Sequence, residues 1–264
     1  MVTTYPSAGK KKALKVCQVF AQGAGGRCAE PGCDSLYQGA AAFYGMTEHT
    51  LPLLDRCRRD GRDWYYIDNA YYWGRGVYHR VTRNRLMHDG LGVRIDPAFP
   101  RLRTFGVDVR ERRYGDAVVI TTQSELFYAF RLKVSRQEWV DRITRVLRQY
   151  TDRPIQVCHK PAPALMAKHE PHAREFEPML ANAWCMVTHS SSSALKALAE
   201  GVPVIWLGEG PDYGMCRQMA DTDLSAVEDV ELREDREYFF EGLLSQQWTF
   251  AEMASGQCWA ELHA

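Results

Sequence analysis

The chain has 264 residues, enough for one large domain or for two domains of ordinary size. Hydrophobic residues make up 45% of it and charged residues 25%, which indicates a folded globular protein and excludes an intrinsically disordered one. Lysine plus arginine equals aspartate plus glutamate at 33 each, so the formal net charge is zero.

The zero net charge conceals an uneven distribution along the chain. Residues 1–113 hold 19 Lys and Arg against 11 Asp and Glu, whereas residues 114–264 hold 14 against 22. A basic N-terminal half is expected either to meet an anionic partner or to attract the acidic C-terminal half. No apolar run approaches the roughly 20 residues that cross a bilayer, and no secretory signal is recognisable, so we expect a cytoplasmic protein without a membrane partner. The eight cysteines are expected to be reduced.

The first half of the chain shows few regular patterns. A strand is predicted over residues 13–21, ALKVCQVFA, leading into the glycine-rich turn QGAGG of residues 22–26. That turn lacks the full dinucleotide-binding fingerprint, so it is predicted only to bring its backbone close to a ligand. Residues 51–58 are predicted to be helical, and the run DWYYIDNAYYW to contain a strand that ends near Asp68. Beyond Trp73 the composition predicts long loops, followed by a linker at residues 114–116.

Strands and helices alternate from Ala117 onward. The patterns predict strands at residues 117–123, 154–160, 184–190 and 202–208, and helices at residues 135–150, 172–183 and 191–200. Ser135 and Glu138 have the spacing of a capping box, Pro178 is expected to kink or break its helix, and Gly201 to end the last one. This alternation predicts right-handed crossovers and a parallel sheet. The tail, residues 235–264, is predicted to form two helical segments that either close this domain or cross to the N-terminal half.

A run of four serines follows the third of these strands. Thr188 and His189 precede Ser190, Ser191, Ser192 and Ser193, and a predicted helix begins directly afterwards. A helix N-terminus presents unpaired N–H groups and the positive end of the helix dipole, and serines add hydroxyl donors. Because the carboxyl ends of strands in such sheets are also where ligands bind, these six residues are predicted to hold a phosphate-bearing ligand. A single serine is enough to cap a helix, and capping is the alternative role of this run.

The residues around the serines resemble a known family. The run VTHSSSSALKALAEGVPVI, preceded by a strand ending in His159-Lys160-Pro161, resembles the donor-binding half of GT-B glycosyltransferases, particularly short glycosyltransferase-like proteins encoded by phages. The stretches YYIDNAYYWGRGVYHRVTRN and WTFAEMASGQCWAEL are similar to segments of the same phage proteins.

The resemblance implies an α/β fold of the GT-B type, with two Rossmann-like domains facing across a cleft. Residues 1–115 would form the acceptor-side domain and residues 116–264 the nucleotide-sugar-binding domain. It further implies a hexosyl- or pentosyltransferase that uses a nucleotide-sugar, a UDP-sugar in particular, as co-substrate without any other cofactor, in the host cytoplasm if a phage encodes it. In this reading the QGAGG turn is a loop facing the cleft.

Several residues are expected to complete the donor site. Members of the family often carry an acidic residue in the helix after the serines, but this chain has Lys196 there, which leaves Glu200 as the candidate for a hydroxyl contact. Lys160 at the end of a strand is predicted to stabilise the departing nucleotide diphosphate, or else to be a solvated lysine. Gln123 ends the preceding strand and is expected to line the same site.

An inverting sugar transfer needs a base that takes the proton of the acceptor hydroxyl. Asp68 is the first candidate because it ends an aromatic-rich strand, and His49 is the second. A structural role for Asp68, as a turn cap or in an ion pair with a nearby arginine, is the alternative.

The segment after Asp68 combines aromatic and basic residues. Tyr72, Trp73, Arg75, Arg80 and Arg83 are predicted to contact the acceptor. Such a composition is typical of nucleic-acid contact surfaces as well as of ordinary packing, so a hydroxymethylated base flipped out of double-stranded phage DNA is one predicted acceptor.

No metal site is predicted. Cys28 and Cys33 lack a second pair of ligands at zinc spacing. Asp221-Thr222-Asp223 resembles the DxD motif of another glycosyltransferase class, but it lies in a polar region and is interpreted as a solvated loop or helix cap.

Three functions remain open from the sequence alone. The first is a metal-independent glycosyltransferase. The second is a nucleotide-sugar 2-epimerase, an enzyme of the same architecture that needs no acceptor. The third is a non-enzymatic nucleic-acid-binding protein on a degenerate GT-B scaffold, which the lysine at position 196 motivates. The oligomeric state is not predicted.

Overall fold

The computed structural model of the chain describes residues 1–71, 73–74, 76–86, 101–160, 171–208 and 214–264. Its contacts separate two compact units. Unit 1 comprises Met1–Arg101 together with Glu241–Ala264, and unit 2 comprises Leu102–Phe240.

Unit 1 begins with a short buried strand that the sequence patterns did not predict. Its elements in chain order are β1 (Val2–Tyr5), α1 (Lys11–Gly23), β2 (Arg27–Cys28), β3 (Ala40–Tyr44), α2 (Thr50–Arg59), β4 (Trp64–Asn69) and β5 (Tyr78–Arg83). The predicted helix at residues 51–58 and the strand ending near Asp68 are confirmed. β5 forms where loops were predicted.

The predicted strand at residues 13–21 is wrong, because these residues form most of α1. The buried residues of α1 recur three and four positions apart, which is the spacing of one helix face. They are Ala13, Val16, Cys17, Phe20 and Ala21, with Val19 next to them. The QGAGG turn therefore ends a helix and leads into β2.

The glycines of that turn permit close backbone packing. A Cβ on Gly23 would lie 1.8 Å from the carbonyl oxygen of Met253, and one on Gly26 would lie 2.3 Å from that of Val2. Because the turn connects a helix to the start of a strand, it lies at the amino edge of the parallel strands, away from the edge where ligands of such sheets bind.

Unit 2 contains the predicted alternation of strands and helices. Its elements are α3 (Arg101–Phe105, which begins at the last residue of unit 1), β6 (Ala117–Thr121), α4 (Glu125–Phe127) with a π-helix at Tyr128–Leu132, α5 (Arg136–Leu147), β7 (Ile155–Cys158), α6 (Pro171–Ala181), β8 (Ala183–Thr188), α7 (Ser193–Ala199), β9 (Val204–Trp206), β10 (Arg217–Gln218), a 3-10 helix at Ser225–Val227 and α8 (Arg236–Ser245, which continues into unit 1).

The capping box and the terminating glycine predicted in unit 2 are confirmed. Ser135 Oγ accepts the Glu138 N–H at the start of α5, and the Glu138 carboxylate accepts the Ser135 N–H in return. Gly201 follows α7 with a φ of +82°, as a terminating glycine should. Pro178 does not break its helix, because it lies inside α6, which continues to Ala181.

The tail adds the last elements to unit 1. These are β11 (Gln247–Thr249), α9 (Phe250–Ala254) and α10 (Gln257–Glu261). β11 pairs antiparallel with β5, and α9 packs on α1. The tail thus crosses to the N-terminal body, and the compact units differ from the predicted division into residues 1–115 and 116–264.

Both units have doubly wound sheets. The order in unit 1 is β11-β5-β4-β3-β1-β2, and β1 to β4 are parallel. The order in unit 2 is β10-β9-β8-β6-β7, with every neighbouring pair parallel. In each sheet the chain adds one strand on one side of its first strand and then continues on the other side. This change of direction, the topological switch point, lies between β1 and β3 in unit 1 and between β6 and β8 in unit 2. The α/β class with two mainly parallel sheets is therefore confirmed.

The predicted linker is a packed part of unit 2. The N–H groups of Arg110 and Arg113 donate to the carbonyls of Ala199 and Gly201 at the end of α7, both at 2.8 Å. Gly115 packs so closely that an added Cβ would lie 2.2 Å from the carbonyl carbon of Asn182. This segment therefore covers the end of the helix that follows the serines.

None of the described helices is long and apolar enough to span a membrane.

Candidate functional site

The serine run lies at the topological switch point of unit 2. β6 and β8 are neighbours, and their chains continue to opposite sides of the sheet, which opens a crevice at their carboxyl ends. β6 delivers Thr121 and Gln123 to this edge, and β8 delivers Thr188 and His189. Ligands of doubly wound sheets bind at such a crevice, so the location favours a binding site independently of the serines themselves.

The serine hydroxyls are joined to each other and to β6. Ser193 Oγ is within hydrogen-bond distance of two hydroxyl oxygens, Ser191 Oγ at 2.8 Å and Thr121 Oγ1 at 3.1 Å. Thr188 Oγ1 donates to the Thr121 carbonyl and accepts the Ser191 N–H. The Ser193 N–H donates to Ser191 Oγ. Several N–H groups of the turn thus have partners within it, and a ligand would be met mainly by hydroxyl groups that can rotate.

Gln123 and His189 flank Ser190. Gln123 Nε2 is 3.4 Å from Ser190 Oγ, and His189 Nδ1 is 3.2 Å from the same oxygen. Gly208, after β9, presses on this group, because an added Cβ would lie 2.3 Å from the His189 carbonyl oxygen. The structure therefore brings together six predicted donor residues at one edge: Gln123, Thr188, His189, Ser190, Ser191 and Ser193. Ser192, the N-cap of α7, makes no side-chain cap hydrogen bond.

Lys160 follows β7 at the same edge of the sheet. Its N–H donates to Thr122 Oγ1 at 3.3 Å, and its carbonyl accepts from Arg136 Nη1 at 3.4 Å. Thr122 Oγ1 also lies 3.2 Å from His159 Nδ1. Burial, and then the charge of Arg136, lowers the pKa of His159, so this imidazole is neutral at pH 7. Arg136, at the start of α5, is a cation of this edge that sequence reasoning missed.

Glu200 is not brought to the serines. It lies at the opposite end of α7, where it accepts from Arg110 at 2.7 Å, Arg113 at 3.1 Å and Lys196 at 2.6 Å. Its three cationic partners give it a structural role between α7 and the segment of residues 110–113. Lys196 is likewise part of this ion-pair group, which explains why a lysine suits its position.

Asp68 is the penultimate residue of β4, at the carboxyl edge of the sheet in unit 1. Arg80 Nη2 donates to Asp68 Oδ2 at 2.8 Å and the Tyr66 hydroxyl to the same oxygen at 3.0 Å, while the Asn69 N–H donates to Oδ1 at 2.7 Å. The side chain is 27% exposed. The alternative role of Asp68 in an ion pair is thus realised, and Oδ1, outside that ion pair, accepts only the Asn69 N–H among the described residues.

His49 and Arg83 lie elsewhere in unit 1. His49 precedes α2, and its Nε2 is 2.9 Å from the Cys33 carbonyl oxygen. Arg83 pairs with Asp63 at 2.9 Å, near the start of β4 and so toward the opposite edge from Asp68. Of the other predicted acceptor residues, Arg80 is with Asp68, Trp73 is half-buried after β4, and Tyr72 and Arg75 lie outside the described residues.

Three tyrosines of the run DWYYIDNAYYW are core residues. Tyr65, Tyr66 and Tyr71 are buried, and burial raises the pKa of Tyr66. The difference in charge between the two folded units is also smaller than that between the two halves of the sequence. Unit 1 holds 15 Lys and Arg against 12 Asp and Glu, and unit 2 holds 18 against 21. The acidic tail, which joins unit 1, accounts for part of this difference.

The two motifs weighed as metal sites form other contacts. Asp221 pairs with Arg142 at 2.7 Å, and Asp223 accepts the Ser225 N–H at 3.0 Å. The thiols of Cys28 and Cys33 lie against backbone carbonyls. Within the part of the chain that the structure describes, no three His, Cys, Asp or Glu side chains are grouped as metal ligands.

A second polar group in unit 1 was missed by sequence reasoning. Lys12 Nζ and the Tyr44 hydroxyl both donate to Asn69 Oδ1, at 2.5 and 3.0 Å. His79 lies on the same face, with its ring centroid 6.1 Å from that of Tyr44. The three lysines at residues 10–12 were the available signal, but they point to this site only once β1 and α1 are recognised.

The fold of the chain is shared with two solved structures. No protein-family model matches the chain, and no curated protein matches its sequence. Two solved structures of KpsC from Thermosulfurimonas dismutans are similar to it. One, described as a beta Kdo 2,4 transferase, has a TM-score of 0.55 and 14% identity over 91% of this chain and 89% of that one. The other, a beta Kdo 2,7 transferase, has a TM-score of 0.55 and 12% identity over 92% and 89%. At these identities the likeness shows the shared fold alone.

Proposed function

We propose that the protein is a glycosyltransferase that moves a sugar from a nucleotide-sugar to an acceptor hydroxyl. One observation carries the proposal: the serine turn (residues 190–193) lies at the switch point of a doubly wound sheet, in a chain that shares its fold with two sugar transferases over about nine-tenths of its length. The family resemblance of the same turn points to the same class.

In this proposal unit 2 binds the donor. The hydroxyls of Ser190, Ser191 and Ser193 and the amide of Gln123 hydrogen-bond the phosphate oxygens, since hydroxyl and amide donors suit an anion. Lys160 and Arg136 follow the neighbouring strand and begin the neighbouring helix, where their charges stabilise the phosphate as it departs. These cations act at the stage of the reaction where negative charge increases on the leaving group.

The chemical step transfers the sugar between two oxygens. A bond forms between the acceptor oxygen and the anomeric carbon, while the bond from that carbon to the nucleotide phosphate breaks and the phosphate keeps the electron pair. In an inverting transfer the hydroxyl proton passes to a carboxylate, and we assign this role to Asp68 through Oδ1. Arg80 and Tyr66 hold the other oxygen, which fixes the orientation of the carboxylate.

The sugar and the acceptor are narrower parts of the proposal. The two structural neighbours are described as Kdo transferases, and Kdo is an acidic sugar, so acidic sugars join UDP-hexoses and UDP-pentoses among the donors to be tested. Hydroxymethylated DNA from a phage is retained as one acceptor because of the basic residues of unit 1. The buried tyrosines offer no stacking surface for it, so this acceptor rests on charge and on the sequence resemblance.

The donor site is tested by calorimetry with nucleoside diphosphates and a panel of nucleotide-sugars. Gln123→Glu keeps the shape of the side chain but places a negative charge beside Ser190. It should weaken binding at least tenfold, the effect of about 1.4 kcal/mol, because a donor to an anion becomes a like charge. Gln149→Glu is the matched control, since Gln149 is an exposed residue after α5 on the opposite edge of the sheet. It should leave affinity unchanged within about twofold, the range expected of surface substitutions.

Turnover then separates the three functions. Release of nucleotide that depends on an added acceptor, glycan or hydroxymethylated duplex DNA, identifies a transferase. Conversion of the nucleotide-sugar without an acceptor identifies the epimerase, and salt-dependent DNA binding without nucleotide affinity identifies the scaffold. If the unaltered protein binds no nucleotide or nucleotide-sugar at all, the proposal is wrong.

A further inference from the structure

The sheet of unit 1 has its own switch point, between β1 and β3. The loops that follow these strands are joined there by a hydrogen bond of 3.0 Å between Ser7 Oγ and Thr47 Oγ1. Ser7 is 4% exposed, so the bond ties the bases of the two loops together. A crevice at this place is where a doubly wound sheet binds its ligand. Unit 1 therefore has a location for a ligand apart from the serine turn of unit 2.

Three lysines lie at the N-terminus of α1, where their positive charges oppose the helix dipole. Lys10 is the N-cap of α1, and Lys11 and Lys12 form its first turn, with no acidic residue among them. All three are exposed. Cations at a helix N-terminus repel one another and the positive end of the dipole, an arrangement that a bound anion relieves.

Asn69 orients a further donor toward the same place. Its Oδ1 accepts from Lys12 Nζ and from the Tyr44 hydroxyl, which fixes the amide so that Nδ2 points away from both. Among the described residues none accepts a hydrogen bond from Asn69 Nδ2 in return. Lys12 and Asn69, with Lys11 beside Lys12 in the first turn of α1, thus offer side-chain donors to a ligand that accepts hydrogen bonds.

A buried histidine beside this surface is a second, independent observation. His79 pairs with Asn69 across β4 and β5, is 1% exposed, and stacks on Phe250 at a centroid distance of 4.8 Å. Within the described part of the chain neither ring nitrogen has a hydrogen-bond partner. Buried polar groups in proteins are normally paired, so this imidazole, next to Tyr44 and Lys12, indicates a polar ligand at this edge.

We propose that the carboxyl edge of unit 1 binds an oxyanion, a phosphate or a carboxylate, through Lys11, Lys12 and Asn69. Among the carboxylates of this edge, Asp68 is neutralised by Arg80 and lies on the opposite face of β4 from Asn69, whereas Glu48 follows β3 and is exposed to solvent. Taken with the proposed function, on which this last step rests, the oxyanion belongs to the acceptor, whose hydroxyl group then faces Asp68. The acceptor class is accordingly an anionic saccharide or a phosphorylated molecule.

The site is tested by NMR titration of the intact protein with inorganic phosphate and, separately, with acetate. Binding should shift the backbone amides of residues 9–13 and the side-chain amide of Asn69. The double variant K11Q/K12Q should bind the better of the two anions roughly tenfold more weakly, because it loses two charge-assisted contacts. Lys15→Gln removes an exposed charge from the next turn of the same helix and should change the affinity by less than about twofold.

The two probes also distinguish the sources of the anion. A preference for phosphate indicates a phosphorylated acceptor, and a preference for acetate an acidic sugar. Shifts elsewhere in the chain, or equal affinity in K11Q/K12Q and the unaltered protein, overturn the proposal. Because nucleotide affinity at the serine turn is measured separately with Gln123→Glu, loss of one proposal leaves the other standing. Asn69→Asp, which replaces the donor by a carboxylate without altering α1, gives the same test if the lysine variant fails to fold.

Discussion

His79 makes unit 1 sensitive to acid. Burial lowers the pKa of this imidazole from 6.5 to about 4, an effect that the nearby charge of Lys12 increases and that of Asp68 opposes. Below pH 6.5 the unfolded chain therefore binds a proton that the folded chain does not, and unfolding becomes easier as the pH falls toward 4. Between pH 7 and pH 4.5 these two pKa values correspond to a loss of about 2 kcal/mol in the free energy of unfolding.

Two variants isolate this contribution from that of the carboxylates, which also titrate in acid. His79→Phe and His79→Gln both remove the titrating group, and the phenyl ring keeps the stack on Phe250. The proteins are equilibrated in urea at pH 7 or at pH 4.5. The unfolded fraction is then measured by a pulse of hydrogen exchange at one common pH, on peptides that cover residues 64–83. Both variants should lose about 2 kcal/mol less than the unaltered protein between the two pH values. An identical loss in all three proteins would refute the reasoning.

Three further substitutions test the packing around the serine turn. Gly201→Ala places a Cβ 1.9 Å from the Glu111 carbonyl oxygen at a φ of +82°, and should lower the free energy of unfolding of unit 2 by about 2 to 4 kcal/mol in a urea titration. Gly208→Ala displaces His189 and should weaken nucleotide binding roughly tenfold in calorimetry, with the fold preserved by circular dichroism; unchanged affinity would separate His189 from the site. Arg236→Met removes donors to three backbone carbonyls from a side chain that is 7% exposed, and should lower the urea midpoint of unit 2 by an amount equivalent to about 3 kcal/mol.

The alternating strands and helices from Ala117 to Gly208 could be predicted because the sequence carries local signals for them. β6 and β8 are continuous apolar runs, Ser135 and Glu138 supply a capping box, and Gly201 takes the left-handed conformation that ends a helix. These signals depend on neighbouring residues alone, and the structure confirms them.

The errors in unit 1 have two different causes. α1 was predicted as a strand although its buried residues recur at helical spacing, so the signal was present and the apolar run concealed it. β1, with the sequence Val-Thr-Thr-Tyr, carried no such signal, because its two threonines are buried only through their neighbours in the sheet. The position of β11 in unit 1 likewise depends on pairing with β5, a contact between residues far apart in the chain.

The sequence by itself determined the alternation of strands and helices after Ala117, the α/β class and the serine turn as the leading candidate site. Only the tertiary structure decided that the turn lies at a switch point, that Glu200 binds cations at the far end of its helix, and that Lys12, Asn69 and Asp68 share one edge of unit 1. The reason is physical: a strand or a cap is set by residues a few positions apart, whereas a switch point exists only through the order in which distant strands pair.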